Sequence, residues 1–229
     1  MQGISTTITG VIAIDGKTSR RTHDQEAGKK ALHLVSAWAA ENRLVLAQMA
    51  TEEKSNEITA IPLLLRQLAL GGCIVTIDAM GTQTKIAEQI IEQEGDYALA
   101  LKDNQGNLYD EVKATCTMAE KEAFATVEYE SDRTVEKAHG RLEIREYWII
   151  SDPAILEYLD SEKRWKGLRG IGMVRAERRI EQEITKETRY FLLSFSSVKT
   201  FAYAVRSHWG IENSVHWSWI WLFVKMNRA

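Results

Sequence analysis

Two short apolar runs, VIAID ending at Asp15 and CIVTID ending at Asp78, set the terms for what this chain can fold into. Both are rich in β-branched residues and carry no charge before the terminal aspartate, which is how strands buried on both faces of a mixed or parallel sheet read. A carboxylate ending such a strand is lifted out of the core onto the rim of the sheet, where it can meet solvent and ligand. Two carboxylates held about 4 Å apart repel by about 4 kcal/mol at an effective dielectric of 20, so a fold keeps them adjacent only where a cation offsets the repulsion. A donor set made of oxygens alone favours Mg²⁺ or Mn²⁺. Either aspartate by itself is as readily a turn former or a helix N-cap. The pair gains meaning from a distal third carboxylate, Glu212 in the segment HWGIEN. Three such groups suit two divalent ions, roughly 3.5 to 4 Å apart, that clamp the attacking and leaving oxygens of an in-line phosphoryl displacement.

Periodicity and turn signals predict strands at 8–15, 31–39 and 43–50 and a helix at 56–69, with Ser55 as its N-cap and Pro62 inside it. A strand at 73–78, a helix at 83–94 stopped by Gly95 at C′, and a strand at 96–101 follow. This order is that of the ribonuclease H-like fold, which carries carboxylates on its first and fourth strands and on a late helix. A helix is expected at 105–121. Residues 126–195 mix alternating patterns (TVEYES, LEIREYWII, TRYFLLSF) with a helical stretch near 153–160. Residues 198–224 read as a last helix bearing Glu212, with His208 and His216 at i−4 and i+4. The expected architecture is α/β: a ribonuclease H-like mixed sheet with flanking helices and a mostly β insertion before the last helix. Residues 1–125 would form the first part of the core, 126–196 the insertion, and 197–229 the helix that completes the core.

At 229 residues, 45% hydrophobic and 27% charged, the chain can bury one substantial core. Cys73 and Cys116 have no metal-ligand spacing, so two inert thiols in a reducing compartment are expected. No signal peptide is recognised, and the run WSWIWLFV is too short to span a bilayer. The expected location is the bacterial cytosol, in association with the nucleoid.

The net charge of −3 is not the overall signature of a nucleic-acid binder, so any DNA contact must come from local clusters. The candidates are Lys17, Arg20 and Arg21 beyond the first aspartate, Lys102 with Asn104 and Gln105, and Lys137, His139, Arg141 and Arg145. Each has an ordinary alternative as a solvated surface residue, and His139 to Arg141 equally suits a hairpin turn. Lys17 and Lys102 stand out because each lies beside a sheet rim expected to hold cations. Trp148 and Trp165 are candidates for stacking an unpaired base, although packing is the commoner role for both, and Trp38, Trp209 and Trp217 read as core. His208 and His216 are placed to position Glu212 or to touch a phosphate. A zinc site is discounted because the H-E-x-x-H order is absent.

The words around these residues resemble the DDE transposases of bacterial insertion sequences, specifically the ISAs group that includes the H-repeat-associated proteins. IAIDGKT, ALHLVSAWA, EKSNEITAIP, IVTIDAMGTQ, GDYALALKDNQ, EKAHGRLE, WKGLRGIG and RSHWGIENSVHW carry the resemblance, in that order, from about Val11 to Trp217. It implies that Asp15, Asp78 and Glu212 are the catalytic and metal-binding triad, served by two Mg²⁺ or Mn²⁺ ions. It implies cleavage and strand transfer at insertion-sequence ends, with the element's terminal inverted repeats and target DNA as partners and a homodimer as a compatible assembly. It adds weight to His139 and Arg141 as DNA contacts. Two alternatives stay open: a catalytically inactive remnant that binds DNA or a partner, and another nuclease on the same scaffold.

Two departures from that family shape a further expectation. The chain starts only about ten residues before its first predicted strand, where the family carries a sizeable N-terminal region. The tail WIWLFVKMNRA replaces an acidic and basic stretch, and a one-nucleotide change of frame permits LDLAFREDESR instead. The expectation is a copy truncated at both ends, with a frameshift near Ser218 that leaves Trp219, Trp221 and Met226 without a selected role.

Overall fold

The computed structural model describes residues 10–19, 32–51, 57–138, 140–181 and 183–211. Three antiparallel strands open it: β1 (Gly10–Ser19), β2 (Leu32–Ala39) and β3 (Leu44–Thr51). Helix α1 (Glu57–Leu65), strand β4 (Cys73–Ile77), helix α2 (Thr84–Glu92) and strand β5 (Asp96–Leu101) follow. β4 lies parallel to β1, with Ile14 opposite Ile77, and β5 lies parallel to β4. The resulting order β3-β2-β1-β4-β5 is the ribonuclease H-like sheet.

Helix α3 (Asn107–Lys121), entered through a 3₁₀ turn at Asp103–Gln105, leads to strands β6 (Tyr129–Ala138) and β7 (Arg141–Ile150). Helix α4 (Pro153–Leu159), strands β8 (Gly170–Ile180) and β9 (Glu183–Leu193) and helix α5 (Val198–Ile211) complete the described chain. The strands between α3 and α5 continue the first sheet: β9 pairs antiparallel with β5, then β8, β7 and β6 add on in turn to make nine strands.

The apolar run of β1 is buried because both faces of the sheet are covered. Ile12 and Ile14 pack with Ile61, Leu64, Ile86 and Ile90 of α1 and α2. Val11 belongs instead to the cluster of Tyr147, Val174, Phe191, Phe201 and Val205 beneath α5. Val11, Ile12 and Ile14 are each fully buried, which stabilises the fold by about 2 kcal/mol per side chain.

Several local expectations need adjustment. α1 ends at Leu65 rather than near 69 and keeps Pro62 within it. The stop after α2 is shifted by one residue: Glu94, not Gly95, takes the left-handed conformation (φ 61°). Gly95 N–H donates to Ile90 O and Glu94 N–H to Ile91 O, closing a Schellman motif. Glycine at 95 suits the close packing, since a Cβ there would lie 3.1 Å from Leu70 Cβ and 3.2 Å from Ile90 Cγ2 and would press on both. β8 has no counterpart among the expected strands. Its glycines and its charged second half break the alternation, and Gly172 leaves room for the Phe201 ring, which a Cβ would approach to 2.6 Å. Ser55, His216 and the tail lie outside the described residues.

Candidate active site

β1 runs on past Asp15, which pairs with Ser36 of β2, so this aspartate sits within a strand rather than at its end. On its other side the pairing with β4 stops at Ile14 opposite Ile77. Asp15 and Asp78 are therefore the first residues beyond the last paired rung of two parallel strands, and both line one cavity of about 190 Å³.

The loop carrying Asp78 is tightly held. Asp78 Oδ1 accepts from the backbone N–H of Met80 (3.1 Å) and Gly81 (3.3 Å), an Asx turn that fixes the carboxylate. The Thr82 hydroxyl reaches Ala100 O at 2.7 Å and Asp78 O at 3.2 Å. The Asn104 amide donates to Ala79 O at 2.9 Å, and the Gln105 amide donates to Ala79 O at 3.1 Å and Thr82 O at 2.8 Å. The amide nitrogens of Asn104 and Gln105, expected at the DNA, are thus engaged in buttressing the loop behind Asp78.

α5 closes the cavity from the other side. His208 shares a 2.9 Å hydrogen bond with the hydroxyl of Thr76, two residues before Asp78. Burial pushes its imidazole down to about 4, with Arg189 acting in the same direction and the Asp78 carboxylate opposing. The ring is therefore neutral at neutral pH. Lys102 is exposed at the cavity wall. Arg189 grips Glu187 through Nε at 2.7 Å and Nη2 at 2.8 Å, and its guanidinium lies 4.5 Å from the centre of the Trp209 ring. Hydrogen bonds from Arg189 hold the Glu187 carboxyl below its usual range.

The structure brings Asp15, Asp78, Lys102 and His208 to this cavity. Lys17 is exposed two residues beyond Asp15 but does not line it. Arg145 lines a neighbouring cavity and pairs with Glu143 at 2.7 Å, while Arg141 lies beside the same carboxylate at 3.6 Å. Glu212, Arg20 and His139 lie outside the described residues. Trp209, expected in the core, is only partly buried and faces both cavities. Trp165 packs in the core, and Trp148 stacks with Phe124 away from the carboxylates. Glu187 and Arg189 escaped sequence reasoning because β9 meets β5 across about ninety residues of chain, a pairing that no local pattern announces.

The donor chemistry of Asp15 and Asp78, two carboxylates just beyond the last paired rung of neighbouring strands, fits a hard divalent cation. Among the described residues no group of three or more His, Cys, Asp and Glu side chains is placed to hold a metal ion. No described helix is long and apolar enough to cross a membrane.

Residues 7–222 match the family described as the transposase DDE domain. YhhI of Escherichia coli K12, whose name describes an H repeat-associated transposase, is 42% identical over 212 residues, covering 90% of this chain and 55% of that protein. YncI of E. coli O157:H7, also named as a transposase, is 42% identical over 221 residues, covering 95% of this chain and 55% of its own. The chain thus spans about half the length of these curated relatives. A cryo-EM structure of a piggyBac transposase synaptic complex with hairpin DNA aligns with TM-score 0.46 and 8% identity, covering 89% of this chain and 39% of that one. By the extent of the family match and of these identities, the chain belongs to the transposase DDE domain family.

Proposed function

We propose that this chain is the catalytic part of an insertion-sequence transposase, cutting DNA strands at element ends and joining the freed 3′ hydroxyl to target DNA. The observation that carries the reading is the placement of Asp15 and Asp78 beyond the last paired rung of β1 and β4, in one cavity. Asp15, Asp78 and Glu212 would hold two Mg²⁺ or Mn²⁺ ions. Bound there, such ions supply charge neutralisation at the phosphate and activation of the attacking water or hydroxyl.

The residues of the chain have separate tasks. The Asx turn at Asp78 fixes one carboxylate before substrate arrives, so little reorganisation is needed at the moment of reaction. Lys102 and Arg189 give the wall cationic groups for the flanking phosphates of the terminal inverted repeat. His208, neutral and bonded to Thr76, anchors α5 against β4 beside Asp78.

Cleavage of duplex DNA carrying family inverted-repeat ends, in Mg²⁺, tests the proposal. The wild-type chain is expected to nick the end, and Asp15→Ala, Asp78→Ala and Glu212→Ala are each expected to abolish nicking. Nicking that survives in all three variants would refute the assignment.

A further inference from the structure

A second cavity, about 230 Å³, adjoins the first and shares Glu187, Arg189, Val205 and Trp209 with it. Cross-strand register explains the continuity. Glu143 sits opposite Arg178 and Arg178 opposite Thr185, while Arg145 sits opposite Ala176 and Ala176 opposite Glu187. Val174 is opposite Arg189, and Leu101 opposite Tyr190 sets Lys102 beside Arg189. Side chains alternate along each strand, so these residues share the α5 face of the sheet with Asp15 and Asp78.

Glu143 stands out on this face. Its side chain is only 6% exposed, yet three guanidiniums share it: Arg145 at 2.7 Å, Arg178 at 3.5 Å and Arg141 at 3.6 Å. One carboxylate balances one of them and leaves two positive charges over. Including Glu136, which holds Arg206 at 2.8 Å and stands 3.9 Å from Arg145, leaves the same excess. Arg145 Nη1 has no hydrogen-bond partner among the described residues. Arg141 and Arg178, 45% and 42% exposed, bring the surplus charge to solvent. Such a concentration on a chain of net charge −3 fits a ligand that is itself anionic and accepts planar, paired hydrogen bonds.

We propose that Glu143 organises Arg141, Arg145 and Arg178 into a docking station for a phosphodiester of the DNA duplex leading away from the carboxylate pair. The proposal rests on the transposase reading above and extends it to a defined part of the substrate. Arg178 lies three strands from β4 and six residues along β8 from the Asp78 row, on the order of 25 Å away at ~4.8 Å per strand and ~3.4 Å per residue. The phosphate it holds is therefore roughly seven base-pair steps from the carboxylates, at ~3.4 Å per step.

The test is binding of the full chain to a labelled duplex bearing a family end, in chelator and without divalent ions, as a function of salt. Arg178→Gln is expected to weaken binding about tenfold and to flatten the slope of log affinity against log salt by about one. Arg133→Gln makes the same charge change on the reverse face, where Arg133 pairs with Glu146, and is expected to leave binding unchanged. Glu143→Gln removes a negative charge yet is expected to weaken binding, because the arginines lose the group that aligns them. Equal effects of Arg178→Gln and Arg133→Gln, tighter binding by Glu143→Gln, or no binding by the wild type would overturn the proposal. If Glu143→Gln fails to melt as a folded protein, the two arginine variants decide. Because the assay involves no cleavage, loss of the nicking prediction and loss of this one are read separately.

Discussion

The hydroxyl of Thr76 and Nδ1 of His208 share a hydrogen bond across 132 residues of sequence. It fastens α5 to β4 beside Asp78, and both partners gain from it: Thr76 is fully buried and would otherwise hold an unsatisfied hydroxyl. Burial also pushes the imidazole down to about 4, so the ring stays neutral into mildly acidic pH.

That depressed value makes a pH prediction. The folded value lies below the ordinary histidine value of about 6.5, so between the two the unfolded chain binds the proton more readily and stability falls as pH is lowered. From about pH 7 to about pH 5 the loss from this group should be about 2 kcal/mol. Urea denaturation at the two pH values measures it. His208→Gln should remove most of that dependence, and an unchanged difference in the variant would contradict the assignment.

On the reverse face of β1, Gly16 has a partner in Glu57. A Cβ at Gly16 would lie 2.2 Å from Glu57 Oε1, and Glu57 is buried with its carboxylate 2.5 Å from His33 Nε2. His33 Nδ1 in turn meets the Thr18 hydroxyl at 2.8 Å. Gly16→Ala must therefore displace Glu57 from His33 and is expected to cost about 1 to 3 kcal/mol. Glu57→Ala removes the obstacle along with the pair, so the double variant should be destabilised by less than the sum of the two. Additivity within about 0.5 kcal/mol in denaturant titrations would show that the two residues do not compete for space.

The strand bearing Asp15 and the strand leading to Asp78 were legible because burial on both faces writes an unbroken apolar run. α4 falls on the helical stretch expected near 153–160, and Asp152 caps it by accepting from the N–H groups of Ala154 and Ile155. β8 was hidden in part by Gly172, which makes room for the Phe201 ring, and the need for Gly16 by a carboxylate 41 residues on. Arg189 and Trp209 became visible as part of the site only once β9 was placed beside β5 and α5 was laid across them. Local pattern fixes what each strand buries on its own, whereas these features depend on pairings between distant segments.

If Asp15 and Asp78 hold a divalent cation together, thermal unfolding during Mn²⁺ titration measures it directly. A ligand that binds only the folded chain at about a hundred times its dissociation constant adds about 2.7 kcal/mol of stability. The wild-type chain should therefore melt at a higher temperature as Mn²⁺ rises, and Asp15→Asn and Asp78→Asn should each lose the gain. A wild type that Mn²⁺ does not stabilise, or variants stabilised as fully as the wild type, would contradict it.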